Sequence, residues 1–464
     1  MRKNDIVTVT IEDFGINGEG IGKTKGYTLF VKDTVIGDVA EVKVMKAKKN
    51  YGYGKLLKIL KPSKDRVTPD CPVARQCGGC QIQMVSYDKQ LEYKNRKVWN
   101  NLKHIGGIPE ELLARVMEQP CGMKEPYRYR NKAQFPIGRD RNGKLAAGFY
   151  VGHTHQIIPC DDCLLGVKVN RKILDIILAF MERYQIEPYN EEQHRGLVRH
   201  ILIRYGFATD EIMVCLVLNG RRLPHAEVLT GKLAGIPKMT SISVSINTEK
   251  TNVIMGKEIV TLWGQGYITD YIEDIKYQIS PLSFYQVNPV QTGDLYRTAL
   301  EYADLHGEET VWDVYCGIGT ISLFLAQKAG RVYGVEIIPQ TIEDAKRNAG
   351  INGILNAEFF TGKAEEVLPE YYKEYTPRHP GRKAEADVIV VDPPRKGCAE
   401  SVLETMVRMR PRRIVYVSCD SATLARDLKY LRENGYELDR GKVVDMFPHT
   451  VHVETVCLLT KKAQ

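Results

Sequence analysis

From about residue 281 onward, short apolar runs alternate with helical stretches, and this alternation limits the carboxyl-terminal part of the chain to few architectures. Val311-Trp312-Asp313-Val314-Tyr315 has the pattern of a buried strand. The turn Cys316-Gly317-Ile318-Gly319-Thr320 follows it, then an apolar helix through Leu325. Residues 331–335 form a second strand closed by Glu336, residues 342–349 a helix, and residues 357–360 a third strand. The apolar runs 388–391 and 414–417 complete the series. Such alternation predicts a doubly wound parallel α/β sheet. Functional groups collect at the carboxyl ends of its strands. The last two runs end in Asp392-Pro393-Pro394-Arg395 and Ser418-Cys419-Asp420, so an aspartate and a thiol are expected at one rim.

At 464 residues the chain exceeds what one core usually supports, so several domains are expected. Residues 1–62 read as a small β-barrel, because alternating runs at 6–11, 27–31, 39–44 and 56–60 are separated by glycines that mark turns, among them Gly15, Gly18, Gly20, Gly22 and Gly26. Residues 1–66 hold 14 Lys and Arg against 8 Asp and Glu, most of the chain's net +8. With Tyr51 and Tyr53 beside Lys46, Lys48 and Lys49, this barrel suits RNA: rings stack bases and lysines meet phosphates. Residues 61–69 look like a linker, and residues 63–280 like an α+β middle domain. In that domain a helix is expected over 83–116 and a strand near 126–136, with Tyr127 and Tyr129 on one face and Arg128 and Arg130 on the other. Residues 281–464 form the α/β domain. No apolar run approaches the ~20 residues that span a bilayer, and the amino terminus lacks the apolar core of a signal peptide. A cytoplasmic protein with no membrane partner is expected, and nothing calls for an obligate protein partner.

Eleven cysteines, unevenly clustered, make a poor disulfide framework in a chain of this kind. Cys71, Cys77 and Cys80, with Gly78 and Gly79 between them, have the look of a metal-binding loop. A fourth ligand is available from Cys160 or Cys163. Zinc and iron–sulfur clusters both accept four thiolates, so spacing alone does not separate them.

The strand–glycine turn–helix at 311–325 brings backbone N–H groups close to a bound group. Glu336, ending the next strand, can accept hydrogen bonds from both hydroxyls of a ribose. The turn lacks the third glycine of a dinucleotide fingerprint, which favours S-adenosylmethionine over a nicotinamide cofactor. Asp392-Pro393-Pro394 alone suits methylation of an exocyclic amine, but Cys419 adds a nucleophile that amine methylation does not need. Carbon 5 of uracil does need one. It becomes nucleophilic only after a thiolate adds to carbon 6 and creates an enolate. A base must then remove the carbon 5 proton, and Glu454 is the first candidate, with His452 second. An oxidoreductase with an iron–sulfur centre and a non-catalytic RNA binder are the readings from other classes. The missing glycine weighs against the first, and the set Asp392, Cys419 and Glu454 against the second.

Residues 284–288 (Phe-Tyr-Gln-Val-Asn), 313–319, 392–397, Ser418-Cys419 and His452-Val453-Glu454 together resemble the RNA 5-methyluridine methyltransferase family. The cysteine set and amino-terminal barrel resemble its 23S rRNA branch, which carries a TRAM domain and a [4Fe-4S] cluster. The resemblance implies a class I methyltransferase sheet in which Gln286, Tyr315, Glu336 and Asp392 bind S-adenosylmethionine. Cys419 would be the nucleophile, Glu454 the base, and Cys71, Cys77, Cys80 and Cys163 the cluster ligands, Cys163 being preferred to Cys160 for its apolar flanks. It implies ribosomal RNA as substrate, with a uridine flipped from a single-stranded or looped region. Transfer RNA is the alternative. It further implies that the helix after residue 83 packs on the catalytic domain. One departure stands out: Asp420-Ser421 occupies the place where an asparagine–proline pair is common, so the loop after the nucleophile is expected to differ.

Overall fold

The computed structural model describes residues 1–151, 154, 156–378 and 386–462. Five strands come first: β1 (Ile6–Phe14), β2 (Gly20–Thr24), β3 (Tyr27–Val31), β4 (Val39–Ala47) and β5 (Tyr51–Lys61). They close into a barrel in the order β1-β2-β3-β5-β4, with Val9, Ile11, Leu29, Val31, Ala40, Val42 and Val44 turned inward. β2 corrects the sequence reading, in which its glycines only marked turns. A Cβ on Gly20 would lie 2.1 Å from Thr34 Oγ1, and one on Gly22 would lie 2.6 Å from the Thr10 carbonyl oxygen. Those glycines serve close packing within a strand. The expected linker is also tied down. Buried Asp38 accepts the Ser63 N–H at 2.8 Å and forms an ion pair with Arg66 at 2.5 Å.

The middle segment holds α1 (Tyr87–His104), α2 (Glu110–Val116), β6 (Lys132–Arg139), β7 (Leu145–Tyr150), β8 (Ile157–Pro159), α3 (Val169–Arg183), β9 (Val198–Tyr205), β10 (Ile212–Leu218), α4 (Ala226–Ala234), β11 (Met239–Ile246) and β12 (Glu258–Gly264). Its strands form one sheet in the order β12-β11-β10-β9-β6-β7-β8. Residues of α3 and α4 pack with one face of it, against Phe135, Ile201, Val214 and Ile242. The helix expected over 83–116 is two helices, because Gly107 turns at φ 61° and Pro109 starts α2. Residues 127–131 do not form a strand. Arg128 takes φ 56° and pairs with Asp162 in bidentate fashion, so neither group of the expected two-faced arrangement survives as drawn. The hairpin β13 (Ile268–Ile272) and β14 (Ile275–Ile279) packs its isoleucines and Tyr277 into the core of the segment that follows.

That segment contains α5 (Pro289–Ala303), β15 (Thr310–Val314), α6 (Thr320–Ala326), β16 (Arg331–Glu336), α7 (Pro339–Ile351), β17 (Ala357–Thr361), α8 (Ala364–Arg378), β18 (Val388–Val391), α9 (Glu400–Met409), β19 (Arg413–Ser418), α10 (Ser421–Glu433), β20 (Tyr436–Val444) and β21 (Glu454–Lys461). The sheet order is β17-β16-β15-β18-β19-β21-β20. Six strands run in one direction, and β21 runs antiparallel to both of its neighbours. The chain winds outward from β15 to β17, then crosses to β18, so the switch point lies between β15 and β18. Ligands bind outside the strand ends at such a point. Among the described residues, no helix is long and apolar enough to cross a membrane.

α1 packs against α10, as the resemblance implied. Beneath it, Lys94 Nζ sits 2.6 Å from Asp445 Oδ1, both side chains being almost wholly buried. Tyr87 donates to the other oxygen of Asp445 at 3.1 Å. Removing one partner leaves an uncompensated buried charge, which costs about 3–5 kcal/mol. Asp445→Ala is expected to lower the urea midpoint of this part of the chain accordingly, and an unchanged midpoint would contradict the assignment.

Candidate active site

A cavity of about 810 Å³ opens at the switch point. It is lined by Gln286, Tyr315, Glu336, Asp392, Cys419 and Glu454, so all six residues singled out for cofactor and catalysis face one space. Each arrives by a local device. The turn after β15 reverses the chain through positive φ at Tyr315 (71°), Gly317 (54°) and Gly319 (81°), and Gly319 then starts α6. Asp313, wholly buried below this turn, accepts the Ser322 hydroxyl at 2.5 Å on Oδ2, while Oδ1 has no partner among the described residues. Glu336 Oε1 accepts the Ile337 and Ile338 N–H groups at 2.8 and 3.2 Å, which fixes the carboxylate at the strand end. Gln286 is held from the middle segment, where Asn131 Nδ2 donates to its carbonyl at 2.9 Å.

Sequence reasoning did not assign Asp313, Phe284, Ile337, Ile338, Arg395 or Phe447 to the site, yet all line the cavity. Phe284, Ile337 and Ile338 are exposed apolar side chains at its edge. Apolar side chains at the edge of such a cleft mark a place for an apolar ligand group. Only their position after a strand could have signalled this.

Ser418 ends β19 and Cys419 emerges from it. Asp420 takes the helix cap: its Oδ1 accepts the Ala422 and Thr423 N–H groups at 2.9 and 3.1 Å. Aspartate thereby supplies the stop-and-start that a proline at the first helical position would otherwise assist. The loop expected to differ is an ordinary capped helix start.

The electrostatics of the cavity are acidic. Burial pushes the Cys419 thiol up to about 12, and the carboxyl groups of Glu454 and Asp392 push the same way against Arg395. Burial alone lifts Asp392 to about 7. Burial and Asp392 together hold Glu454 well above the usual carboxylate range, and its Oε2 has no hydrogen-bond partner among the described residues. His452 is lowered to about 4 by burial and by the charges of Arg395 and Lys97, so it is neutral at pH 7. The free thiol is therefore a weak nucleophile at neutral pH. Alkylation of Cys419 by iodoacetamide, read by site-resolved mass spectrometry, is expected to rise about tenfold per pH unit from about pH 7 to about pH 9. A plateau within that range would contradict the shift.

A second cavity, of about 360 Å³, gathers Cys71, Cys77, Cys80, Cys160 and Cys163 with Arg130 and Lys132. Arg128 braces it by donating to the carbonyls of Cys163 and Gly166 at 3.1 and 3.0 Å. A hydrogen bond from Cys160 holds the Cys163 thiol down to about 6 against the effect of burial, while burial raises Cys80 to about 12. Among the described residues, no group of three or more His, Cys, Asp or Glu side chains is disposed to hold a metal ion.

A family model described as tRNA (Uracil-5-)-methyltransferase matches residues 86–462, and a TRAM domain model matches residues 2–57. A relative from Halalkalibacterium halodurans, described as an uncharacterized RNA methyltransferase, is 50% identical over 463 residues, covering 100% of this chain and 98% of its own. One from Clostridium tetani, described likewise, is 47% identical, covering 99% of this chain and 97% of its own. The crystal structure of Pyrococcus abyssi tRNA (uracil-54, C5)-methyltransferase with S-adenosyl-L-homocysteine matches with a TM-score of 0.77 at 29% identity, over 98% of this chain and 99% of that one. Full-length likeness in sequence and in fold points one way: the chain belongs to the tRNA (uracil-5-)-methyltransferase family, and it is an RNA methyltransferase with a TRAM domain at its amino terminus.

Proposed function

We propose that the chain methylates carbon 5 of a uridine in 23S ribosomal RNA, using S-adenosylmethionine, with Cys419 as nucleophile and Glu454 as base. One observation carries this reading: Gln286, Tyr315, Glu336 and Asp392 share a single cavity with Cys419 and Glu454. The residues fit the cofactor. Glu336 suits ribose hydroxyls, Phe284, Ile337 and Ile338 suit an adenine ring, and the unpartnered Asp313 Oδ1 lies beneath the turn. Bound S-adenosylmethionine supplies a methyl group on a positively charged sulfur.

The chain's own residues do the remaining work. The Cys419 thiol gives up its proton to solvent, the thiolate sulfur adds to carbon 6 of the uracil, and the displaced electron pair makes carbon 5 an enolate carbon. Once carbon 5 carries the methyl group, Glu454 takes the proton from that carbon. The returning electrons restore the 5,6 double bond and expel the Cys419 thiolate. Neutral His452 lines the same wall and is second choice for the proton. Paired uracil hides carbon 6, so the base must be flipped into the cavity. Phe30, Tyr51 and Tyr53 cluster on the barrel with ring centroids 5.6–5.9 Å apart, near lysines 46, 48 and 49. Such a surface supports holding the flanking RNA.

Cys71, Cys77, Cys80 and Cys163 are read as ligands of a [4Fe-4S] cluster, with Cys160 donating to Cys163. Five thiols spread around one cavity suit a cluster, whose ligands stand farther apart than those of a single ion. Arg130 and Lys132 line the cavity without a carboxylate ion-pair partner among the described residues, which suits an anionic occupant. Anaerobic purification is expected to yield iron and acid-labile sulfide in equal amounts, and zinc in their place would overturn the cluster.

Ribosomal RNA is preferred because this cysteine set beside a TRAM barrel resembles the ribosomal branch of the family. Transfer RNA is the second reading, favoured by the likeness to the Pyrococcus abyssi enzyme. Mapping 5-methyluridine in a deletion strain against its parent separates them. Loss from 23S rRNA is expected. Loss confined to tRNA would replace the substrate, and no loss in either would overturn the activity.

A further inference from the structure

α1 follows the cysteine loop in sequence, yet one of its faces grips both segments that carry the reactive groups. Gln90, Lys94, Lys97 and Asn101 recur at intervals of four, three and four residues and so share one stripe. Asn101 Nδ2 donates to the hydroxyl of Ser421 at 2.8 Å, two residues beyond Cys419. Lys94 Nζ donates to the Phe447 carbonyl at 2.9 Å, and Lys97 Nζ to the Val451 carbonyl at 3.2 Å. Gln90, wholly buried, accepts the His449 N–H on Oε1 at 2.9 Å. Its Nε2 donates to the Val85 carbonyl at 2.8 Å and lies 3.2 Å from His449 Nδ1.

His449 is the focus of these contacts. It holds φ 67°, a conformation that residues with a Cβ rarely take. Such a residue persists where its surroundings over-determine it. Here Gln90 holds the N–H, the N–H groups of Gln81 and Ile82 donate to the carbonyl at 3.1 and 3.2 Å, and Tyr127 stacks on the ring at 4.3 Å. Gln81 Oε1 also accepts the Val451 N–H at 3.4 Å. The barrel abuts the same spot, since a Cβ on Gly18 would lie 2.9 Å from Gln81 Cβ and 3.0 Å from Val451 Cγ1. Five residues after His449 comes Glu454, the first residue of β21, paired there with Val444 of β20; among the described residues its Oε2 has no hydrogen-bond partner. The loop of residues 445–453 joins the two paired strand ends, Val444 and Glu454, so what anchors the loop bears on how the Glu454 side chain enters the cavity.

We infer that Gln90, acting through His449, is a positioning residue for the carboxyl of Glu454, with Gln81 a second anchor of the same loop. The inference rests on the reading of Cys419 as nucleophile and Glu454 as base. A loosened loop would leave addition and methyl transfer in place and impair proton removal, the one step that Glu454 performs.

The test uses the full chain with its RNA substrate and S-adenosylmethionine, and scores enzyme–RNA adduct on denaturing gels beside turnover. Gln90→Leu is expected to lower kcat by roughly 10²-fold, since a misplacement near 1 Å costs about that much. KM for RNA is expected to stay within about twofold, and adduct to accumulate as it does in Glu454→Gln. A purely structural role would lower stability without adduct. Gln81→Ala, at a half-buried position, is expected to accumulate adduct to a smaller extent and carries the test if Gln90→Leu does not fold. Adduct in Glu454→Gln but in neither glutamine variant would overturn this inference alone. Adduct in none of the three would overturn the assignment of Glu454, and the inference with it.

Discussion

Cys419→Ala is expected to abolish methyl transfer, by on the order of 10³-fold or more, while RNA and S-adenosylhomocysteine binding stay within about twofold. Loss of a nucleophile removes a bond-forming partner, and nothing else among the described residues of the cavity offers a comparable atom at that wall. Cys316 lines the same cavity, but it is buried and burial raises its thiol well above the ordinary value. The substitution is also gentle. Cys419 is half-buried at a strand end, and the cap of α10 depends on Asp420. A loss of activity therefore cannot be assigned to unfolding if the thermal midpoint holds. Filter binding and a single-turnover methylation assay decide the matter, and a variant that retains methylation within tenfold would remove Cys419 from the chemistry.

Glu454→Gln is expected to slow turnover by about 10²–10⁴-fold and to leave protein joined to RNA under denaturing conditions. Glutamine keeps the shape and cannot take the proton, so addition and methylation proceed and elimination stalls. The direction of the Glu454 shift adds a pH dependence. Burial and Asp392 raise its carboxyl, so the basic form appears at higher pH than for an ordinary carboxylate and grows as pH rises. Wild-type turnover should climb with pH across the neutral range as the Cys419 thiol, raised to about 12, gains its reactive form, and the raised Glu454 carboxyl adds to the climb. Glu454→Gln should lose the Glu454 part of that climb and keep the residual dependence of the thiol. An unchanged profile, or turnover without adduct, would pass the role of base to His452.

Much of the catalytic half is legible because its elements are local. Short apolar strands end in the residues that matter, and strand order then brings Asp392 and Cys419 onto neighbouring β18 and β19. That the cysteines of two short stretches meet at one cavity is legible in their spacing as well. What escaped needed contacts remote in sequence. β2 is glycine-rich because Thr34 and Thr10 crowd it, and no periodicity announces that. Arg128 looked like a charge on an open face, but Asp162 turns it inward to brace the loop of Cys163. The residues at 61–69 read as a linker until Asp38, more than twenty residues earlier, captures Ser63 and Arg66. The hold of α1 on the 445–453 loop joins residues more than 350 positions apart. α1 buries Gln90 and Lys94 beside Tyr93, Val98 and Leu102, so its packed face mixes polar with apolar residues and gives no simple amphipathic signal.

The covalent role of Cys419 is tested most directly by RNA carrying 5-fluorouridine at the methylated position, incubated with the wild-type protein and S-adenosylmethionine. Fluorine at carbon 5 leaves no proton for Glu454 to remove, so the adduct formed after methyl transfer cannot resolve. A protein–RNA species that survives denaturation, depends on S-adenosylmethionine, is absent from Cys419→Ala and maps by mass spectrometry to the peptide of Cys419 is the expected result. No such species, or one that maps to another residue, would contradict it.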